Sequence, residues 1–363
     1  MSSCTASGFC FQRLLAPSAA SEVTDFPPLS RPGRETSTGR RARTGGKLTG
    51  WYIRLQNCTS CYIKGESSWE ETRVHRQQDP ASTTVRVGLI GRGIQKSRTP
   101  GMHEAEGQAQ GMTYRYDLFD TAAGTPDDLA GILDRAEAGG YAGLNVTYPY
   151  KRAVMALLDT LSPNAERVGA VNTVVFRNGR RQGHNTDAWG FAEGFRRGLP
   201  GAGLDRVLLL GAGGAGGAVA HALVDLGARQ LLIRDTARPA AEALVASINA
   251  HAGAETARVT EDGVAEADGI VNATPVGMLA LPGTPLDPSA LSPRHWVADI
   301  VYVPLATALL TAAAARGCRV LSGEGMAVFQ AVRAFELFTG RPADPERMRA
   351  TFHRLGAAGE VQA

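Results

Sequence analysis

The sequence has no run of 18 or more uninterrupted apolar residues, which excludes a membrane-spanning helix. Cysteine is scarce. Of five in 363 residues, four (Cys4, Cys10, Cys58, Cys61) precede residue 85 and only Cys318 follows it. A segment with one thiol is no disulfide scaffold and suits a reducing cytoplasm, the expected location. Neither sign of charge dominates. The net charge is +3, made of +4 over residues 1–84 and −1 over 85–363. The positive excess therefore belongs to the first segment, and no nucleic-acid partner is expected. Collagen-like, coiled-coil and globally disordered chains are excluded by a composition that is 44% hydrophobic and 20% charged.

Residues 1–84 also lack any sustained period of 3.6 or 2. They are rich in Ser, Thr, Arg, Gly and Pro, as in Ser30-Arg31-Pro32-Gly33-Arg34. Such a segment buries too little apolar surface to offset its ordering entropy, so a disordered extension is expected. Residues 1–21 have no acidic residue, loosely like a transit peptide. The preferred expectation is a dispensable extension, as from a start placed too far upstream. Cys58-Thr59-Ser60-Cys61 has the spacing of half a zinc site, but no second ligand pair follows nearby. The basic run Arg40-Arg41-Ala42-Arg43 has no interleaved aromatics.

What is present begins at Val85. Val85 to Ile90 reads as a buried strand, and Thr99-Pro100 opens a helix to Gln110. Strands are expected at Thr113–Leu118, Ala142–Thr147 and Ala170–Phe176, the last ending at the hairpin signal Asn178-Gly179. Helices are expected at Pro126–Ala138 and Pro149–Leu158. After a Gly/Pro break at 198–203 a second alternating series starts, with strands at Arg206–Leu210, Gln230–Ile233, Gly269–Asn272, Trp296–Val301 and Arg319–Leu321. Two helices, Glu324–Thr339 and Pro345–Leu355, close the chain. Alternating strands and helices predict an α/β fold with mostly parallel sheets, and the length predicts two domains.

Leu208-Leu209-Leu210 runs into Gly211-Ala212-Gly213-Gly214-Ala215-Gly216 and then a helix. This is G-x-G-x-x-G in its proper setting. Gly211 permits the tight turn, Gly213 lets backbone approach a pyrophosphate, and Gly216 packs helix on strand. Gly214 and Ala215 open the helix whose N–H groups face the phosphates. Asp235 follows 19 residues after Gly216 at the end of the next strand, where a carboxylate accepts from ribose hydroxyls. That favours NAD over NADP. Arg234 beside it is the counter-argument, since a guanidinium there pairs with a 2′-phosphate. Arg238 is a second candidate for the adenine end.

Four polar clusters sit mostly at or just past predicted strands, where open α/β sheets bind ligands. They are Ser97-Arg98-Thr99-Pro100, Asn145-Val146-Thr147-Tyr148-Pro149-Tyr150-Lys151, Val171-Asn172-Thr173 and Asn185-Thr186-Asp187. Their hydroxyls, amides, lysine and aspartate suit a small substrate with several hydroxyls. His103, His184 and His221 have no paired ligand, so no metal site is expected.

At these residues, in this order, the chain resembles the shikimate/quinate dehydrogenase family over roughly residues 85–360. Asn272-Ala273-Thr274-Pro275-Val276-Gly277-Met278 and the run Gly323 to Gln330 also resemble it. The resemblance implies that Lys151 and Asp187 are the catalytic pair. It implies that Ser97 and Thr99 hold the substrate carboxylate, with Tyr302 nearby, and that Asn145, Thr147, Asn172 and Gln330 bond ring hydroxyls. Thr274, Val276, Val301 and Gly323 would line the nicotinamide. The implied fold is an N-terminal α/β substrate domain and a C-terminal Rossmann-like domain. The implied division is 85–186 for substrate, joined by a returning 325–363, and 187–324 for cofactor. Thr99, Asp235 and the run Gly325 to Val332 resemble the NAD-linked bacterial subgroup, whereas Arg333 departs from the Asp expected there. The implied activity is reversible NAD-dependent oxidation of quinate or shikimate at the C3 hydroxyl. A biosynthetic NADP-dependent shikimate dehydrogenase, an aminoshikimate-type enzyme and a non-catalytic nucleotide or quinate sensor are the alternatives. Quinate-to-shikimate preference, direction of flux and oligomeric state, a homodimer included, are left open.

Overall fold

Apolar strands buried on both faces form the centre of two sheets, and the glycine-rich turns at their ends create the site. The computed structural model describes residues 84–121, 128–253 and 255–360. Before these it describes only the backbone of three short strands, β1 (Ile53–Arg54), β2 (Cys61–Lys64) and β3 (Trp69–Thr72), which pair antiparallel in sequence order. They belong to a unit spanning Met1–Gln77, and the unit Gln78–Ala363 carries everything else. The expectation of an extension without regular structure otherwise falls outside the described residues. So do the transit-like stretch, the basic run and Cys58.

The first six-stranded sheet contains β4 (Thr84–Gly91), β5 (Thr113–Asp120), β6 (Gly143–Val146), β7 (Thr160–Leu161), β8 (Thr173–Arg177) and β9 (Arg180–His184), in the order β5-β4-β6-β8-β9-β7. Helices α1 (Thr99–Ala109), α2 (Leu129–Ala138) and α3 (Pro163–Val168) lie between its strands in sequence. β4 pairs parallel on both sides, which is why it reads as a continuous apolar run. The Asn178-Gly179 signal is a hairpin between β8 and β9, with φ of 55° and 67° at its two central residues.

One expected helix is absent. Residues 149–158 form turns and a short 3₁₀ helix, Ala153–Leu157. The Lys151 carbonyl accepts from Val171 N at 2.8 Å, so the cross-chain bond takes the acceptor that an α-helix needs.

α4 (Asp187–Gly198) leads to the second six-stranded sheet, which is parallel throughout. Its strands are β10 (Arg206–Leu210), β11 (Gln230–Arg234), β12 (Ala257–Val259), β13 (Gly269–Asn272), β14 (Trp296–Asp299) and β15 (Arg319–Leu321), ordered β12-β11-β10-β13-β14-β15. Helices α5 (Gly214–Asp225), α6 (Arg238–Ala252) and α7 (Ala308–Ala315) alternate with them. The strand order reverses at β10, which places the glycine-rich loop at the switch point where such sheets bind ligands.

The last helices, α8 (Glu324–Thr339) and α9 (Pro345–Glu360), return to the first sheet. Val328, Val332 and Phe335 of α8 and Phe352 of α9 share a buried cluster with Val87, Leu89 and Tyr116. Glu106, fully buried in α1, accepts from Arg347 Nη1 at 2.7 Å, Gln110 Nε2 at 2.7 Å and Asp344 N at 3.1 Å. The start of α9 is therefore fastened to α1 by a buried carboxylate that gathers three donors.

Candidate active site

Lys151 lies in the turn after β6 and Asp187 is the first residue of α4. Their side chains meet, Nζ to Oδ2, at 2.6 Å. A carboxylate in a first helical turn faces unpaired N–H groups and a favourable dipole, which suits Asp187 to its place. The pair is largely shielded from solvent, at 20% and 8% side-chain exposure. The glycine-rich loop adjoins it, because a Cβ on Gly214 would lie 3.8 Å from Lys151 Cδ.

Asn145 and Asn172 are buried beside this pair in one hydrogen-bonded group. Asn145 accepts from the Tyr116 hydroxyl at 2.8 Å and donates to Thr173 Oγ1 at 3.0 Å and Asn172 O at 3.3 Å. Asn172 accepts from Thr186 N at 2.7 Å and Thr173 Oγ1 at 3.1 Å, and donates to Thr186 Oγ1 at 2.9 Å. Thr186 directly precedes Asp187, so the group runs from β5 to the start of α4. Tyr116, Thr173 and Thr186 are thus part of the site architecture, although the sequence singles out neither Tyr116 nor any role for Thr173.

Ser97 and Thr99 are half-buried at the N-terminus of α1, where Thr99 N donates to Ser97 Oγ at 3.3 Å. Between them Arg98 stacks its guanidinium 4.5 Å from the Phe352 ring centre. Tyr302 approaches the same ring, at 5.9 Å between centroids. Burial pushes the Tyr302 hydroxyl above its usual pKa; the Arg98 charge opposes this and the Asp187 charge adds to it. Thr147 is half-buried beyond β6, its amide on Ile90 O at 2.9 Å. Gln330 turns its Nε2 onto Ala327 O of its own helix at 3.0 Å.

The glycine loop has the shape a dinucleotide needs. Gly211 has φ of 98°, and a Cβ there would lie 2.8 Å from Ala273 O. A Cβ on Gly216 would run into Gly211 O. Gly213 borders open space, with nothing within 4 Å of where its Cβ would be. Gly214 and Ala215 begin α5 and present unpaired first-turn N–H groups. Asp235 faces the loop, accepting from Ala212 N at 2.7 Å and Ala237 N at 2.8 Å. Arg234 bonds Pro285 O at 2.9 Å. Arg238 is exposed and paired with Glu242 at 2.9 Å and Glu261 at 3.0 Å.

Thr274, Val276 and Val301 are tied together by a buried polar cluster at the ends of β13 and β14. Asn272 Oδ1 accepts from Thr274 Oγ1 at 2.7 Å, and its Nδ2 donates to Val276 O at 2.9 Å and Asp299 Oδ1 at 3.0 Å. Asp299 also accepts from Val301 N at 3.0 Å and Thr307 Oγ1 at 2.8 Å. Gly323 packs so closely that a Cβ would lie 2.6 Å from Val301 O. Asp299 and Thr307 are residues the sequence reading missed. The available signal was an Asp ending the otherwise apolar strand Trp296-Val297-Ala298.

Models of the shikimate dehydrogenase substrate binding domain and of the shikimate 5′-dehydrogenase C-terminal domain match residues 89–174 and 323–351. The chain is 52% identical over 280 residues to a quinate/shikimate dehydrogenase (NAD(+)) of Corynebacterium efficiens, covering 75% of this chain and 99% of that one. The chain belongs to the shikimate/quinate dehydrogenase family. A shikimate dehydrogenase (NADP(+)) of Streptomyces avermitilis is 50% identical over 76% of this chain and 97% of its own. The quinate dehydrogenase from Corynebacterium glutamicum in complex with NAD superposes with a TM-score of 0.72, at 49% identity, over 75% of this chain and all of that one. Within this shikimate/quinate dehydrogenase chain the two family-model segments contain Asn145, Thr147, Lys151, Asn172, Gly323 and Gln330. Asp187 and the glycine loop fall between them. No helix among the described residues is long and apolar enough to cross a membrane.

Proposed function

We propose that the chain is an NAD-dependent quinate/shikimate dehydrogenase, which oxidises the ring C3 hydroxyl to 3-dehydroquinate or 3-dehydroshikimate and runs in reverse. The observation that carries this reading is the Lys151–Asp187 pair beside Gly214 of the dinucleotide loop. Residues 85–186 with 325–363 serve the ring and residues 187–324 serve the dinucleotide.

The loop fits such a cofactor. Open space at Gly213, the N–H groups of Gly214 and Ala215 and the α5 dipole suit a pyrophosphate. Thr274, Val276, Val301 and Gly323 suit the nicotinamide, which when bound supplies the hydride acceptor. Relatives named for NAD(+) and for NADP(+) match at nearly the same identity, 52% and 50%, so contacts at the adenine end carry the choice. Asp235 presents a carboxylate there. Both nearby guanidinium groups are engaged, Arg234 by a carbonyl and Arg238 by two carboxylates. A 2′-phosphate would meet negative charge, and ribose hydroxyls would meet an acceptor.

The chain's own residues then divide the work. Lys151 Nζ takes the C3 hydroxyl proton in oxidation and returns it in reduction. Asp187 holds Lys151 and that hydroxyl in line. Ser97, Thr99 and the first-turn amides of α1 receive the ring carboxylate, with Tyr302 at its edge. Asn145, Thr147, Asn172 and Gln330 bond the remaining hydroxyls.

Steady-state kinetics with quinate and shikimate, each against NAD and NADP, tests this. NAD is expected to give a kcat/KM at least about tenfold above NADP, equivalent to ~1.4 kcal/mol. Asp235→Ala should erase most of that preference. Equal or better turnover with NADP would replace the reading by the biosynthetic NADP-dependent enzyme.

A further inference from the structure

Two side-chain amides stand in the ring site, and an amide has a polarity. Its oxygen accepts two hydrogen bonds and its nitrogen donates two. The orientation of each amide is fixed by a main-chain group that cannot invert. Asn145 lies 3.3 Å from the Asn172 carbonyl oxygen, which only accepts, so Nδ2 faces that oxygen. Asn172 lies 2.7 Å from the Thr186 N–H, which only donates, so Oδ1 faces that nitrogen.

The other partners follow from these two. The Tyr116 hydroxyl donates to Asn145 Oδ1 at 2.8 Å. The Thr173 hydroxyl accepts from Asn145 Nδ2 at 3.0 Å and donates to Asn172 Oδ1 at 3.1 Å. Thr186 Oγ1 accepts from Asn172 Nδ2 at 2.9 Å. Counting valences, Asn145 has both N–H groups used and one oxygen lone pair left. Asn172 has its oxygen filled and one N–H left.

We propose that Tyr116 and Thr173 are positioning residues that hold the two amides in the opposite polarities set by the main chain, so that Asn145 meets the ring as an acceptor and Asn172 meets it as a donor. A ring group at Asn145 must then have a proton to give, which means a hydroxyl. A group at Asn172 need only accept, so a hydroxyl and the ketone that replaces it on oxidation are both held. This distinguishes ring positions that stay alcohols from one that tolerates a carbonyl. Thr173 is the pivot, because its hydroxyl bonds both side-chain amides. This inference rests on the proposed polyhydroxylated ring substrate.

The test uses Thr173→Val, Thr173→Ser and Tyr116→Phe in the full chain, with shikimate and NAD. Thr173→Val should lower kcat/KM for shikimate by about tenfold or more, the usual effect of orphaned buried polar groups. The KM for NAD should stay within about twofold, since no cofactor contact is lost. Thr173→Ser should restore most of the loss, and Tyr116→Phe should show a smaller, ring-selective loss. Cyclohex-1-ene-1-carboxylate keeps the carboxylate and lacks every hydroxyl, so it should inhibit wild type and Thr173→Val equally. Unchanged shikimate kinetics in Thr173→Val and Tyr116→Phe would overturn the proposal. So would an equal loss of affinity for the hydroxyl-free analogue. If Thr173→Val does not fold, Tyr116→Phe decides by the same criteria. A wild-type protein that turns over neither quinate nor shikimate overturns the functional reading and this proposal together. Turnover by wild type with indifferent variants overturns the positioning role of Tyr116 and Thr173 alone.

Discussion

Gly190 of α4 presses on the backbone of Gln330 in α8: a methyl group at position 190 would lie 2.6 Å from the Gln330 amide nitrogen and 2.9 Å from Met326 O. One turn on, Gly194 faces Gly325 in the same way. The helix that begins with Asp187 and the helix that carries Gln330 are therefore in near backbone contact. Gly190→Ala should push α8 away and move Gln330 relative to the Lys151–Asp187 pair. Overpacking of this kind costs about 1–3 kcal/mol. The expected result is a lower melting temperature and a raised KM for the ring substrate, with little change in the KM for NAD. A variant with wild-type KM for the ring would show that Gln330 does not depend on this contact.

The Lys151–Asp187 contact at 2.6 Å makes a second prediction about how two losses combine. Lys151→Ala should lower kcat by about 10²–10⁴-fold, the range for removing a general acid–base group. If the two side chains act as a unit, the double variant with Asp187→Asn should be hardly worse than Lys151→Ala alone. A double-mutant cycle on kcat measures this. Multiplicative losses would mean that the two residues act separately.

Residues in the turns after strands or in the first turn of the helix that follows were readable from the sequence, because glycine spacing and polar clusters have a local cause. Gly211, Gly216 and the Lys151 and Asp187 clusters belong to this class. Tyr116, Thr173 and Asp299 were not readable as site-builders, since each acts through a neighbour fixed by strand order. Tyr116 reaches Asn145 only because β5 and β6 flank β4. The missing helix at Pro149–Leu158 has the same origin, a bond from Val171 to Lys151 that no local pattern encodes. Arg234 and Arg238 were ambiguous by type and became informative once their partners, Pro285, Glu242 and Glu261, were in view.

Asp299 joins the ends of β13 and β14 and is almost fully buried. Burial raises its carboxyl pKa above the ordinary 3.8, against bonds from Val301, Thr307 and Asn272 that lower it. A raised acid binds its proton more readily in the folded chain. Its contribution to stability is therefore present at low pH and fades as pH rises through the folded value. Asp299→Ala should cost about 3 kcal/mol or more, since three buried donors lose their acceptor. Asp299→Asn keeps an oxygen for Val301 and offers its amide to Thr307, so it should fold. Its stability relative to wild type should improve between pH 4 and pH 7. Urea unfolding across that range reads the difference, and parallel curves for the two proteins would refute the argument.

His103 gives the opposite sign. Its ring is enclosed by Tyr114, Tyr116, Phe335 and Phe338, with centroids 5.1 to 6.1 Å away, and Nδ1 lies 3.0 Å from the Tyr114 hydroxyl. Burial lowers its pKa from 6.5 to about 3. Between those values the unfolded chain binds a proton that the folded chain refuses. Stability is thus complete above pH 6.5 and is lost as pH falls below it. The slope from this one residue approaches ~1.4 kcal/mol per pH unit. His103→Gln retains a hydrogen-bonding group for Tyr114 and cannot titrate. The gap between wild type and this variant should therefore shrink as pH is lowered from 7.5 to 5. Because the packing loss in the variant is the same at every pH, the change in the gap isolates the proton. Urea midpoints that shift in parallel for both proteins would place the acid sensitivity elsewhere.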